Sequence, residues 1–197
     1  MPIPDCLLIS ADSHIIEPPM MLKERVPAQF RDAAPEFPAL KVGDGFQTQP
    51  GGSDPTKRLD EMTTDGVSAE VLYPTHLLSV FGMDDAKCQE ACFRAYNDWL
   101  HNTYIKFNPR FRGMAILPLQ DPEEAVKELR RAVTETRGGR NEFDVIETSG
   151  GTMEAGFREN LFGVVKAPVL DDLSPKAKFA GGHWTGTRFQ IHVTAYN

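Results

Sequence analysis

The sequence has few features of secreted or membrane-spanning proteins. Its three cysteines show no spacing typical of a disulfide framework. We expect Cys88 and Cys92, four residues apart in a helical pattern, to be buried apolar residues rather than a metal or redox pair. No apolar run approaches the roughly 20 residues that a membrane-spanning helix requires, and the N-terminal residues lack the basic region of a secretory signal. These absences predict a cytoplasmic protein that does not span a membrane.

Clustered positive charge is also absent. The 197 residues carry a formal net charge of −7, and no run of Lys and Arg side chains interrupts this acidic balance. Nucleic acids and anionic membranes attract basic surfaces, so the charge argues against both as partners. The charge does not exclude a homo-oligomer.

Short apolar runs predict β-strands at residues 6–11, 69–73, 111–119 and 143–148. The first run is mostly apolar, which is typical of a fully buried strand. It ends at Asp12-Ser13-His14, so we expect polar side chains at the carboxyl end of that strand. Because helical segments separate the strands, the order predicts parallel βαβ units and an α/β fold.

The predicted helices carry recognisable start signals. Asp54-Pro55 and Asp121-Pro122 each place a capping aspartate before a proline at the first helical position. The longest predicted helix runs from Asp84 to about Phe107, where Asn108-Pro109 ends it. No Gly-rich phosphate-binding loop follows any strand, which argues against a nucleotide-binding Rossmann domain. A barrel and a doubly wound sheet both fit this pattern of elements.

The character of the sequence changes after Arg137. Residues 149–187 are rich in Gly, Pro, Lys and Ser and have only weak periodicity. Such a long irregular stretch is uncommon inside a compact domain. We therefore divide the chain into residues 1–137, which carry the βαβ pattern, and a divergent, irregular C-terminal segment at residues 138–197.

Asp12 and His14 are the sharpest candidate for a functional site. The two residues lie two apart at the end of a predicted strand, so their side chains point to the same face. Active sites of parallel barrels form at the carboxyl ends of the strands. A carboxylate with an imidazole suits zinc, manganese or iron(II), although capping of the strand end is the alternative role.

Seven motifs follow one another over the first two-thirds of the chain, the first of them around Asp12 and His14. They are Ile9–Pro19, Arg58–Val67, Val71–Thr75, Ala95–Leu100, Pro109–Gly113, Ala115–Pro122 and Glu128–Ala132. In this order they resemble the amidohydrolase-related family, the group that includes aminocarboxymuconate-semialdehyde decarboxylase.

The resemblance implies a partial, truncated TIM-like (β/α) barrel, with residues 1–137 as its N-terminal part. It implies one divalent metal ion, zinc as the first expectation and manganese or iron as alternatives, held by Asp12 and His14. His192 is the residue that could match the family's fifth-strand histidine ligand. Glu17 lies just beyond the ligand pair. Its expected role is to contact the substrate or a metal ligand, or, as the alternative, to be an acid at the start of a helix. His76 follows the second predicted strand and could line a substrate pocket or be an ordinary loop histidine.

The function implied is metal-dependent hydrolysis or decarboxylation of a small carboxylated or aromatic substrate. The two reactions cannot be separated, because the usual general acid or base would lie in the half of the barrel that has no counterpart here, and the catalytic residues stay unassigned. One alternative is a catalytically inactive fragment, created by an early stop or a frame error after about Arg137. The other is a non-enzymatic binding module that uses the same half-barrel.

Overall fold

Four parallel strands form one sheet in the computed structural model, which describes residues 7–39, 50–134, 145–146 and 157–158. The strands lie in the order of the sequence, and each neighbouring pair is parallel. The predicted α/β class is thereby confirmed. The C-terminal segment that we separated at residue 138 lies almost wholly outside the described residues. The strands are β1 (Leu8–Ile15), β2 (Val67–Pro74), β3 (Phe111–Ala115) and β4 (Val145–Ile146).

Helices connect the strands, as the alternating pattern predicts. The side chain of Asp54 accepts hydrogen bonds from two backbone N–H groups of the first turn of α2, and Asp121 does the same for α4. Gly66 ends α2 in the left-handed conformation, with φ of 72°, which glycine adopts at low cost. The helices are α1 (Met21–Arg25), α2 (Pro55–Asp65), α3 (Ala86–Leu100) and α4 (Pro122–Thr134).

The longest predicted helix divides into two parts. The α-helical part ends at Leu100, and the wider turn of a π-helix continues through His101–Ile105. The ring of Tyr104 in this π-helix makes edge contacts with Trp99 and with Phe111 at the start of β3, with ring centroids 5.8 and 5.6 Å apart. This aromatic contact joins the end of the helix to the sheet.

The prediction of a fully buried first strand is wrong. The strand is Leu8–Ile15 rather than residues 6–11, so Asp12 and His14 lie within it instead of after it. Leu8 is 48% exposed and Ile9 57% exposed. Only its last part reaches the core, where Ile15 is completely buried.

The third strand ends earlier than predicted, at Ala115 instead of residue 119. The side-chain amide of Asn97 on α3 donates to the carbonyl of Ile116 at 3.0 Å and accepts from its N–H at 2.9 Å. Both backbone groups of Ile116 are therefore bound to a side chain and are not available to a neighbouring strand.

The core lies between the sheet and helices α1 and α3. Cys88 and Cys92 are free and buried within it, which confirms their predicted role as small apolar residues. The rings of Tyr96 and Trp99 pack at 5.9 Å in the same layer. None of the helices in the described part of the chain is long and apolar enough to cross a membrane.

Candidate metal centre

Asp12 lies in an irregular part of β1. Ser10 pairs with Glu70 and Ser13 pairs with Leu72, so three residue steps on β1 match two on β2. The extra residue forms a β-bulge, and the hydroxyls of Ser10 and Ser13 lie 2.7 Å apart across it. Bulges redirect side chains and are common beside active sites. The backbone thus departs from regular alternation at the predicted ligand.

The imidazole of His14 is held by the neighbouring strand. Its Nδ1 atom lies 2.8 Å from the backbone carbonyl oxygen of Pro74, at the end of β2. Because a carbonyl oxygen can only accept, Nδ1 carries the proton, and in the neutral ring Nε2 has the free lone pair. Histidines that bind metals usually donate their second N–H in this way, so the ring is in the tautomer that a metal ligand needs.

The two predicted ligands face each other. His14 Nε2 lies 3.5 Å from Asp12 Oδ1, and the side chains are 49% and 80% exposed. Two protein ligands about 2.1 Å from one tetrahedral ion would be about 3.4 Å apart. The spacing and the donor types therefore fit a shared divalent ion. Among the described residues, no group of three or more His, Cys, Asp or Glu side chains could hold a metal, and His192 lies outside those residues.

Glu17 binds the loop that follows β2. The carboxylate is buried and accepts hydrogen bonds from the backbone N–H groups of Thr75, His76 and Leu77, at distances between 2.9 and 3.3 Å. These N–H groups begin the 3₁₀ helix at His76–Gly82, where helical hydrogen bonds leave donors unpaired. The structure thus places Glu17 as the cap of this helix, beside the end of β1.

His76 is half-buried on that 3₁₀ helix. Its ring stacks on Phe37 with centroids 5.6 Å apart. Its Nε2 atom is buried and has no hydrogen-bond partner among the residues that the structure describes. A buried polar atom without a partner is costly, so this nitrogen is available to a water molecule or a ligand. Glu17, two residues after β1, binds the backbone of this loop, and His14 on β1 binds Pro74, the last residue of β2 before the loop.

Two buried phenols lie in the field of Glu17. The hydroxyls of Tyr96 and Tyr104 have no hydrogen-bond partner within the described ranges. Burial raises the pKa of Tyr96 well above its usual range, and the negative charge of Glu17 adds to this effect. Burial also raises the pKa of Tyr104 to about 12. Both phenols therefore stay protonated and neutral at physiological pH.

Arg58 joins three parts of the chain at the end of β1. Its buried guanidinium forms an ion pair with the partly buried Glu70 on β2. Its Nη1 atom donates to the carbonyl oxygens of His14, at 3.0 Å, and of Gly51, at 3.2 Å. Gly51 allows this close approach, because a Cβ atom there would lie 2.7 Å from the Cα atom of Arg58. One side chain thus fixes the backbone of a predicted metal ligand.

Sequence reasoning assigned no role to Arg58 or Asn97, although both lie within the family motifs. A signal for Asn97 exists, because it shares a helix face with the apolar Phe93 and Leu100, four and three positions away. A polar residue on such a face needs a buried partner. Asn97 has two, the backbone of Ile116 and the carboxylate of Glu128.

Comparison with known proteins identifies the family. Residues 9–146 match the family model described as Amidohydrolase. The chain belongs to the amidohydrolase family. This match confirms the resemblance that the motifs from Ile9 to Ala132 carry, and it covers the strand with Asp12 and His14.

Two curated relatives of the amidohydrolase chain are gamma-resorcylate decarboxylases. The chain is 57% identical to that of Rhodococcus jostii strain RHA1 over 42 residues, which are 21% of this chain and 13% of the relative. It is 48% identical to that of Polaromonas sp. strain JS666 over 52 residues, 26% of this chain and 16% of the relative. The matches thus span a small part of both relatives.

A solved relative shares the fold over a longer stretch. The 5-carboxyvanillate decarboxylase of Novosphingobium aromaticivorans, in complex with manganese and 4-hydroxy-3-methoxy-5-nitrobenzoic acid, superposes with a TM-score of 0.52. The sequences are 18% identical, and the likeness covers 78% of this chain and 47% of that one. The chain therefore spans about half the length of this solved relative.

Proposed function

We propose that this chain is part of a metal-dependent (β/α)-barrel enzyme that removes a carboxyl group from a hydroxylated aromatic acid. The observation that carries the proposal is the pair of His14 and Asp12, one with an oriented Nε2 and the other 3.5 Å away, at the bulged end of the first parallel strand. Decarboxylation is preferred to hydrolysis because both curated relatives are decarboxylases. The fold likeness to a third decarboxylase supports the barrel.

Asp12 and His14 would hold the divalent ion, with zinc as the first expectation from the ligand types. The solved decarboxylase holds manganese, so manganese is tested beside zinc. When bound, such an ion polarises a substrate oxygen as a Lewis acid. The pair provides two protein ligands, whereas catalytic metal sites commonly have three. His192 is our candidate for a further ligand.

The residues around the pair would position the substrate. Glu17 holds the loop after β2 by four hydrogen bonds, and that loop carries His76 beside the carbonyl that orients His14. We assign His76 to the wall of the substrate pocket, since its buried Nε2 lacks a partner among the described residues. In this role Glu17 acts on the substrate through the loop.

Decarboxylation breaks the bond between the ring carbon and the carboxyl carbon, and the ring carbon must then gain a proton as CO2 leaves. A hydroxyl group beside the carboxylate would give the substrate a second oxygen near the ion. We therefore expect acids with an ortho hydroxyl group to be the substrate class.

An inactive fragment is the second candidate. The exposed Leu8 and Ile9 of β1 and the presence of only two described ligands favour it. A non-enzymatic module of the same fold makes the same structural predictions as the fragment. Both predict that no substrate is converted, whatever metal is added.

The test is conversion of 2,6-dihydroxybenzoate by the full chain with added Mn²⁺ or Zn²⁺, measured as CO2 and resorcinol formed. We expect turnover that requires a metal and is lost in the double variant Asp12→Asn/His14→Asn. The variant Asp32→Asn, at an exposed carboxylate elsewhere, is the matched control and should keep the activity. Metal-bound, folded protein without turnover on any ortho-hydroxy acid would favour the inactive alternatives.

A further inference from the structure

Arg58 contacts the backbone of a proposed ligand rather than the ligand's side chain. Its Nη1 atom donates to the carbonyl oxygen of His14, and its Nε atom pairs with Glu70 on the neighbouring strand. The same Nη1 atom also binds the carbonyl oxygen of Gly51. The guanidinium is therefore anchored on two sides before it reaches His14.

The geometry points to Arg58 as a positioning residue of the proposed metal site. The direction of the His14 lone pair depends on two contacts at the end of β1. One is the bond from Nδ1 to the carbonyl of Pro74 on β2, and the other is the bond from Arg58 to the carbonyl of His14 itself. We infer that Arg58 fixes the peptide at His14 and thereby aims Nε2 at Asp12. This inference rests on the proposed function of that pair.

The bulge in β1 explains why the backbone at His14 needs a contact from a side chain. Regular strand pairing is interrupted between Ser10 and Ser13, so the ladder alone holds the ligand-bearing segment less firmly. Ligand pairs must be held closely to their productive geometry to bind a metal well. A planar, buried guanidinium that is fixed by Glu70 and Gly51 supplies this restraint at the end of the bulged segment.

Lysine does not reproduce this arrangement. Its ammonium is one compact nitrogen with three donors on a flexible stem, whereas arginine pairs with Glu70 through Nε and with the two carbonyl oxygens through Nη1, at fixed positions on a rigid fork. Arg58→Lys keeps the positive charge near Glu70 but loses this fixed spacing between the carboxylate and the two carbonyls. The substitution therefore tests the shape of the arginine side chain while its positive charge is kept.

Arg110 is a matched control within the same sheet. Its guanidinium also binds backbone carbonyl oxygens, those of Ser68 at 3.2 Å and Val67 at 2.6 Å, and its Nη1 atom binds the hydroxyl of Thr63. These contacts lie at the beginning of β2, at the opposite end of the sheet from His14. Arg110→Lys thus removes a similar arginine clamp without touching the proposed site.

The experiment measures Mn²⁺ binding to the full chain by the loss of the free-ion EPR signal, with urea unfolding midpoints for each variant. We expect Arg58→Lys to weaken the Mn²⁺ affinity about 10- to 100-fold. Arg110→Lys should leave the affinity within about twofold, as expected for a distant site. Glu70→Gln, which loosens the anchor but keeps the arginine, should give an intermediate loss. Equal weakening by both lysine variants, in step with their unfolding midpoints, would overturn the inference.

A second readout does not need a metal. Histidine ¹⁵N–¹H spectra at a pH where the rings are neutral report which ring nitrogen of His14 carries the proton, with His14→Asn identifying its signals. We expect the Nδ1–H form in the wild type and in Arg110→Lys, and a mixture in Arg58→Lys. If the wild type binds no Mn²⁺, the proposed function fails, while a changed His14 spectrum in Arg58→Lys alone still supports the inference. An unchanged spectrum in that variant would overturn it.

Discussion

The first and last residues of β1 differ in their environments. In the first half, Leu8 and Ile9 are apolar and exposed to solvent. In the second half, Ile15 is buried, and the polar His14 is held by contacts to its side chain and to its backbone carbonyl.

The carboxyl ends of the strands are held by side-chain contacts within the described part of the chain, whereas the side chains at the beginning of β1 are exposed. Buried polar side chains fix the carboxyl ends of the strands: Glu17 holds the loop after β2, Arg58 the end of β1, and Asn97 the end of β3. At the beginning of β1, the apolar side chains are left in solvent by the described residues. Contacts among the described residues therefore fix the candidate site. The opposite end of β1 has an exposed apolar surface, which favours self-association.

Two isoleucines of β1 test this difference most strongly. Ile15→Ala should lower the free energy of unfolding by about 3 kcal/mol, because it removes a fully buried side chain and leaves a cavity. Ile9→Ala removes a mostly exposed side chain and should cost less than about 1 kcal/mol. Urea unfolding measures both, and similar losses would mean that the first half of β1 is buried in solution.

The next largest effect is expected at Glu17. Glu17→Gln replaces an acceptor of four backbone N–H bonds by an amide with a single acceptor oxygen, which should cost about 2–3 kcal/mol. Glu36→Gln, at an exposed carboxylate paired with Lys23, should cost less than about 1 kcal/mol. Equal unfolding midpoints for the two variants would contradict the capping role.

A smaller loss is expected at Asn97. Asn97→Ala leaves the N–H and carbonyl of Ile116 without their buried partner and should cost about 2 kcal/mol. The matched variant is Asn102→Ala, whose exposed amide donates to the carbonyl of Asp98 and should contribute about 0.5 kcal/mol. If Asn97→Ala costs no more than Asn102→Ala, the end of β3 is fixed by other contacts.

The smallest effect at neutral pH is expected for Tyr104→Phe, since the buried hydroxyl has no partner in the described part of the chain. The change at pH 7 should be below about 1 kcal/mol. Burial raises the pKa of Tyr104 from 10.0 to about 12, so between these values the unfolded chain loses a proton that the folded chain keeps. Stability is therefore full below pH 10 and falls as the pH rises to 12.

This fall amounts to at most about 1.4 kcal/mol per pH unit for one group. Tyr104→Phe should remove that share of the alkaline loss, which unfolding midpoints at pH 7, 9 and 11 would show. The same slope in both proteins would mean that the phenol has an ordinary pKa in the folded state.

Much of the fold followed from patterns with a direct physical cause. Asp54 and Asp121 cap their helices as predicted, and Gly66 ends α2, because caps act within a few residues of the chain. The parallel order of strands followed from their alternation with helices. The burial of β1 could not be predicted in this way. An apolar run indicates a strand, but whether other elements pack over it depends on residues elsewhere in the chain.

The candidate site was predicted by residue type but not by geometry. The pair of Asp12 and His14 was found from its spacing, yet the bulge between Ser10 and Ser13 depends on pairing with β2 and leaves no pattern in the sequence. The contacts of Arg58 were missed for a similar reason. Its partners His14 and Glu70 lie 44 and 12 residues away along the chain.

The central claim is that Asp12 and His14 form a metal site. The most direct measurement is the Mn²⁺ or Zn²⁺ content of the purified, dialysed full chain beside the double variant Asp12→Asn/His14→Asn, with circular dichroism to confirm that both are folded. The account predicts close to one ion per wild-type chain, and loss of that ion in the double variant. Metal-free wild-type protein, or the same metal content in both proteins, would contradict it.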